Sequence, residues 1–118
     1  MSLPIGNDEL TFIYAIPYHG VEMTREKLSQ QLKALADPVR LRILDLLPDN
    51  DRCEDVYNVS ELAAKIGLSQ PTVSHHLLVL KNAGIVRSRK MCRDVYYWID
   101  GKKLDAVQAA VGKLIGEE

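Results

Sequence analysis

The chain has 118 residues, of which 47% are hydrophobic and 26% charged. That is one domain's worth of folded chain; it excludes a disordered polymer, and no apolar run nears the ~20 residues of a membrane helix. The net charge of −1 hides a sharp partition: residues 69–93 carry five Lys/Arg and no Asp/Glu, whereas residues 1–68 sum to −4 and residues 94–118 to −2.

Residues 1–23 show no clear period, and Pro17 and Gly20 break any long helix. They read as an arm, with room for a short strand, preceding a domain at 24–118. Thr24 is a suitable N-cap for a helix to Ala36, with Leu28, Leu32 and Leu35 on one face. Asp37-Pro38 restarts a helix to Leu47 so rich in apolar residues that burial on most sides is expected. An acidic loop around Cys53 follows, then a short strand at 56–59. Ser60 is expected to cap a short helix that Gly67 stops in the left-handed region. Ser69 caps the next helix, with Pro71 in its first turn, an end near Asn82 and a stop at Gly84. Two β-rich stretches, Ile85 to Arg89 and Val95 to Ile99, flank a basic hairpin tip. A last helix, Lys102 to Ile115, places Leu104, Val107, Val111 and Leu114 on one face.

The two short helices joined by Gly67-Leu68-Ser69 form a helix-turn-helix pattern, which alone is weakly specific. In the second helix Val73, Leu77, Leu80 and Gly84 point to the core, and His75 and Asn82 point away. Its exposed N-terminal part carries Ser69, Gln70, Thr72, Ser74 and His75, all short hydrogen-bonding or imidazole side chains without an acid. A helix that enters the major groove needs this chemistry. The following hairpin adds Arg87, Arg89, Lys90 and Arg93, suited to phosphates. A solvated helix start beside a chance basic strand is the bland alternative. The two features together favour double-stranded DNA as the partner.

Leu35-Ala36-Asp37-Pro38-Val39-Arg40-Leu41-Arg42-Ile43-Leu44, Ser60-Glu61-Leu62-Ala63, Leu68-Ser69-Gln70-Pro71-Thr72-Val73-Ser74-His75-His76-Leu77, Ala83-Gly84-Ile85-Val86 and Val95-Tyr96-Tyr97 follow one another in an order that resembles the ArsR/SmtB family. The resemblance covers about residues 30–100. It implies a mainly α winged helix-turn-helix fold with a β-hairpin wing, and a homodimeric repressor that leaves its operator when a metal, a metalloid or an oxidant engages it. By that resemblance Ser69, Gln70, Thr72, Ser74 and His75 match groove-reading positions, Arg87 to Arg93 match the wing, and the first and last helices form the dimer interface. There are departures. Asn58-Val59-Ser60 stands where many members have Cys-Val-Cys, the last helix lacks the histidine of zinc-sensing members, Cys92 replaces a customary wing glycine, and His75 replaces a frequent arginine.

No metal site is therefore assigned, and no cofactor is certain; a soft metal or metalloid ion is the one cofactor chemistry left open. The thiol-sensor candidates are Cys92 and Cys53. Basic neighbours of Cys92 favour its reactive thiolate, and acidic neighbours of Cys53 oppose it. Two cysteines are too few for a disulfide framework, and the chain lacks a basic stretch followed by an apolar signal segment, so a cytoplasmic location without a membrane partner is expected. No Gly-rich phosphate loop, HExxH or GxSxG occurs, and Ser74, His75 and His76 diverge on a helix, so catalysis is not expected. A winged helix that binds protein rather than DNA is the competing class.

Overall fold

The computed structural model describes residues 14–15, 22–49 and 57–116. Two short strands, β1 (Tyr14–Ala15) and β2 (Glu22–Met23), pair antiparallel ahead of the helices. Helices α1 (Arg25–Leu35), α2 (Pro38–Leu46), α3 (Val59–Ile66) and α4 (Gln70–Asn82) follow. The hairpin β3 (Val86–Met91) and β4 (Asp94–Ile99) leads to α5 (Gly101–Leu114). Helix α4 is central and packs on α1, α2, α3 and β3.

Each helix starts where a side chain accepts the free N–H groups of the first turn. Thr24 accepts from Lys27 N, Asp37 from Val39 N and Arg40 N, and Asp100 from Lys103 N. The cap of α3 is a correction: it is Asn58, not Ser60, and residues 58–59 form no strand. Asn58 Oδ1 accepts from Glu61 N at 2.8 Å while Glu61 Oε1 accepts from Asn58 N at 2.9 Å. This reciprocal box satisfies two donors at once, which Ser60 with Ala63 three residues on cannot do. Asn58 also bridges Tyr96, tying the start of α3 to the wing.

The core is built from Leu28, Ile43, Leu62, Val73, Leu77, Leu80, Ile85 and Val86, with Ala106, Val107 and Ala110 closing one side. Met23, assigned to the arm by sequence, is buried in it. One burial expectation, that of α2, is corrected. Within α2 only Ile43 is fully buried, and Leu41 is 50% exposed. In α5 the buried residues are Ala106, Val107 and Ala110, whereas Leu114 is 52% exposed. Small residues let α5 approach closely, Leu104 and Val111 pack partly buried against the core, and only the end of the stripe at Leu114 is left open. Leu32, Leu114 and Ile115 consequently stay exposed on α1 and at the end of α5. No helix among the described residues is long and apolar enough to cross a membrane.

Candidate nucleic-acid interface

Gly67, at φ +84°, reverses the chain after α3 and delivers Ser69 to the start of α4. Ser69 Oγ accepts from Thr72 N at 3.3 Å and lies 2.8 Å from Thr72 Oγ1. Ser69 and Thr72 are therefore partly committed to the cap, though both are exposed. Gln70, Ser74 and His75 are exposed on the same half of α4, and Val73, Leu77 and Leu80 beneath them are 0% exposed. The helix N-terminus points outward with no carboxylate in its first turn, which suits an anion.

The hairpin runs in register from Val86↔Ile99 to Met91↔Asp94. Alternation divides its cations. Arg87 and Arg89 share one face with their cross-strand neighbours Trp98 and Tyr96, and the Arg89 guanidinium lies 5.7 Å from the centre of the Trp98 ring. Such a contact holds an arginine in place. Lys90 is exposed on the opposite face, that of Val86 and Ser88. Tyr97 also packs on that core side, and burial pushes its phenol above the usual 10.0. The four wing cations thus do not form one row: two face outward along β3, Lys90 faces the other way, and Arg93 sits in the turn.

Cys92 and Arg93 are the two central residues of that turn, with φ of +52° and +78°. Positive φ at both positions is the pattern of a type I′ hairpin turn, which glycine or asparagine ordinarily fills. Here a thiol and a guanidinium occupy it, and Cys92 is exposed with a free Sγ. Cys53 lies outside the described residues. Among the described residues no group of three or more His, Cys, Asp or Glu comes together as a metal site.

Sequence reasoning missed the device that seats α4 sideways. Arg40 Nε donates to Ala34 O at 2.7 Å, at the end of α1, and its NH1 group lies 3.1 Å from His76 Nδ1. Arg40 N–H, followed by Val39 N–H and the Arg40 and His76 charges, holds the Asp37 carboxyl below the usual 3.8, with partial burial working against them. The spacing Asp37-Pro38-Val39-Arg40 signals the cap but not the long reach of Arg40 to α4. Trp98 was also passed over; its signal was the period-2 alternation that sets it opposite Arg87.

Helix-turn-helix, paired hairpin and closing helix define a winged helix-turn-helix protein. Residues 37–88 match the model of the arsR family of bacterial regulatory proteins. An HTH-type transcriptional regulator of Methanocaldococcus jannaschii is 38% identical over 75% of this chain and 96% of its own. The arsenical resistance operon repressor of Staphylococcus xylosus is 36% identical over 72% of this chain and 77% of its own. Among solved structures, the homodimeric winged helix-turn-helix DNA-binding domain of a possible ArsR-family transcriptional regulator from Mycobacterium bovis superposes with a TM-score of 0.57 at 32% identity, over 75% of this chain and 80% of that one. The chain belongs to the ArsR family of DNA-binding transcriptional regulators.

Proposed function

We propose that the protein is a homodimeric repressor that holds an inverted-repeat operator and releases it when the wing thiol is modified. The observation that carries the DNA contact is the pairing of an exposed, acid-free N-terminal half of α4 with a wing whose Arg87 and Arg89 are exposed on one face, with Arg93 exposed in its turn and Lys90 exposed on the other face. In this reading Ser69, Gln70, Thr72, Ser74 and His75 address base edges and the first phosphates, and the wing cations address the backbone. Residues 24–118 act as one DNA-binding and dimerisation unit behind an arm at 1–23. Exposed Leu32 and Leu114, with a shallow apolar cleft of about 480 Å³ between Leu35, Leu104, Val111 and Ile115, supply the dimer surface. The Mycobacterium bovis neighbour is homodimeric by its description, which supports that arrangement.

The signal reading rests on Cys92 in the wing turn, flanked by Lys90 and Arg93. Oxidation of its neutral thiol by two peroxide molecules, each reduced to water, gives a sulfinate and releases a proton, adding one negative charge at the point where the wing meets phosphate, and a bulky adduct blocks close approach. Either weakens binding locally. The rival form of the signal is a soft metal or metalloid ion held jointly by Cys53 and Cys92 across the dimer.

The test is a titration of duplex DNA carrying an inverted repeat selected from a random library, before and after stoichiometric alkylation of Cys92. Alkylation is expected to lower affinity, and Cys92→Ser to bind and resist peroxide. Unchanged affinity after alkylation removes the thiol signal. A dimer with no salt-dependent binding to any duplex removes the DNA reading in favour of a protein-binding winged helix. A monomer at micromolar concentration in sedimentation removes the dimer.

A further inference from the structure

A helix ends with carbonyls that lack intrahelical donors, and in α4 every one of them can be followed. Val79 O accepts from Ala83 N at 3.1 Å, Leu80 O from Ile85 N at 2.9 Å and Lys81 O from Gly84 N at 2.9 Å. With Gly84 left-handed at φ +80°, this is a Schellman closure. Asn82 O and Ala83 O remain. Gln30 Nε2 donates to Asn82 O and Gln31 Nε2 to Ala83 O, each at 3.4 Å. From the other side Lys103 of α5 lies across the same end, its Cε 3.1 Å from where a Cβ on Gly84 would stand. Helices α1 and α5 thus converge on the C-terminal end of the helix whose other end carries Gln70 and Ser74.

Gln31 is the odd member. It is 3% exposed, the one buried polar residue in the described core, and its Oε1 has no hydrogen-bond partner. A buried acceptor left unpaired costs stability, and a methionine would fill the space without that cost. Packing therefore does not account for a glutamine here. What it supplies, and an apolar residue cannot, is a donor to Ala83 O; only the amide NH₂ can face a carbonyl oxygen.

We infer that Gln31, seconded by Gln30, is a positioning residue for DNA recognition: it fixes the pitch of α4 against α1 and hence the spacing of the two reading ends in the dimer. The leverage is large. The 13 residues of α4 span about 20 Å, so a tilt of roughly 10° about the held end moves the reading end by about 3 Å, close to one base-pair step. The inference rests on the DNA-binding dimer proposed above.

The experiment compares wild type with Gln31→Met on the selected inverted-repeat duplex, on variants of it with the half-site spacing changed by one or two base pairs, and on random duplex. Gln31→Met trades the unpaired Gln31 Oε1 for an unpaired Ala83 O, so it is expected to stay a dimer of similar Tm, to bind random duplex as wild type does, and to lose roughly three- to tenfold in affinity for the selected site, the factor expected for one net hydrogen bond. Its preference among spacings should flatten, a readout that a purely structural role would not move. Gln30→Ala changes an exposed side chain and should flatten the preference less; it carries the test alone if Gln31→Met fails to fold. Unaltered selectivity and an unaltered spacing preference in these variants overturn the inference while leaving the DNA reading intact. Failure of wild type to prefer any duplex overturns both.

Discussion

The two ends of α4 are built on opposite terms. At the N-terminal end one first-turn donor, Thr72 N, is met by the exposed Ser69, and the side chains beyond it face solvent. At the C-terminal end every described carbonyl has a donor from the chain reversal or from α1, and Lys103 covers the turn. One end is left available to an outside partner and the other is held by the fold. A helix held at both ends would have no donors to offer, and one loose at both could not place them.

That contrast can be broken by substitutions whose effects differ in kind. The largest effect is expected from Leu77→Ala, which empties a 0% exposed position between the ends and should cost about 2–5 kcal/mol in denaturant unfolding. At the reading end, Gln70→Ala should cost roughly 1–3 kcal/mol on the selected site while leaving the unfolding midpoint in place. Equal loss on specific and random DNA would show that Gln70 does not read bases. At the held end, Gly84→Ala imposes a Cβ on a left-handed residue and displaces Lys103, so a loss of about 1–2 kcal/mol in stability is expected, seen as a lower urea midpoint. Ser69→Ala removes the cap of α4 and should cost about 1 kcal/mol, measurable as faster amide exchange in the first turn.

The smallest effect is a pH dependence. The Asp37 carboxyl titrates below 3.8 in the folded chain because backbone N–H groups and Arg40 hold its charged form. A lowered folded value means that its stabilisation is present above the unfolded pKa and is lost as pH falls through the folded one. Asp37→Asn should therefore flatten the acid limb of a stability–pH curve below about pH 4 and leave its shape at neutral pH unchanged. An unaltered acid limb would show that Asp37 is held no differently in the folded and unfolded chains.

Features set by a few neighbouring residues are the ones the sequence shows. Ser69, Gly67, Gly84 and the Val73, Leu77, Leu80 stripe were legible because caps, left-handed stops and helical period are local properties of a few neighbouring residues. The wing was legible as two β-rich stretches, but the faces of Arg87, Arg89 and Lys90 were not, because a face depends on register and the turn had first to be reduced to Cys92 and Arg93. Asn58 was missed in favour of Ser60 because both are good caps, and only the reach of Glu61 decides between them.

What the sequence determined by itself is the order of the five helices and the wing hairpin, the family, the exposed acid-free half of α4 and the basic block on the wing, since period, capping and charge act over short stretches of chain. What only the tertiary structure decided is which faces stay open and which ends are held. Leu114 of α5 stays exposed while Ala106 and Ala110 pack into the core. Gln31, unremarkable in a run of helix formers, became the donor to Ala83 O across 52 residues of chain. Long-range hydrogen bonds and close packing depend on the relative placement of whole helices, and no local pattern encodes that placement.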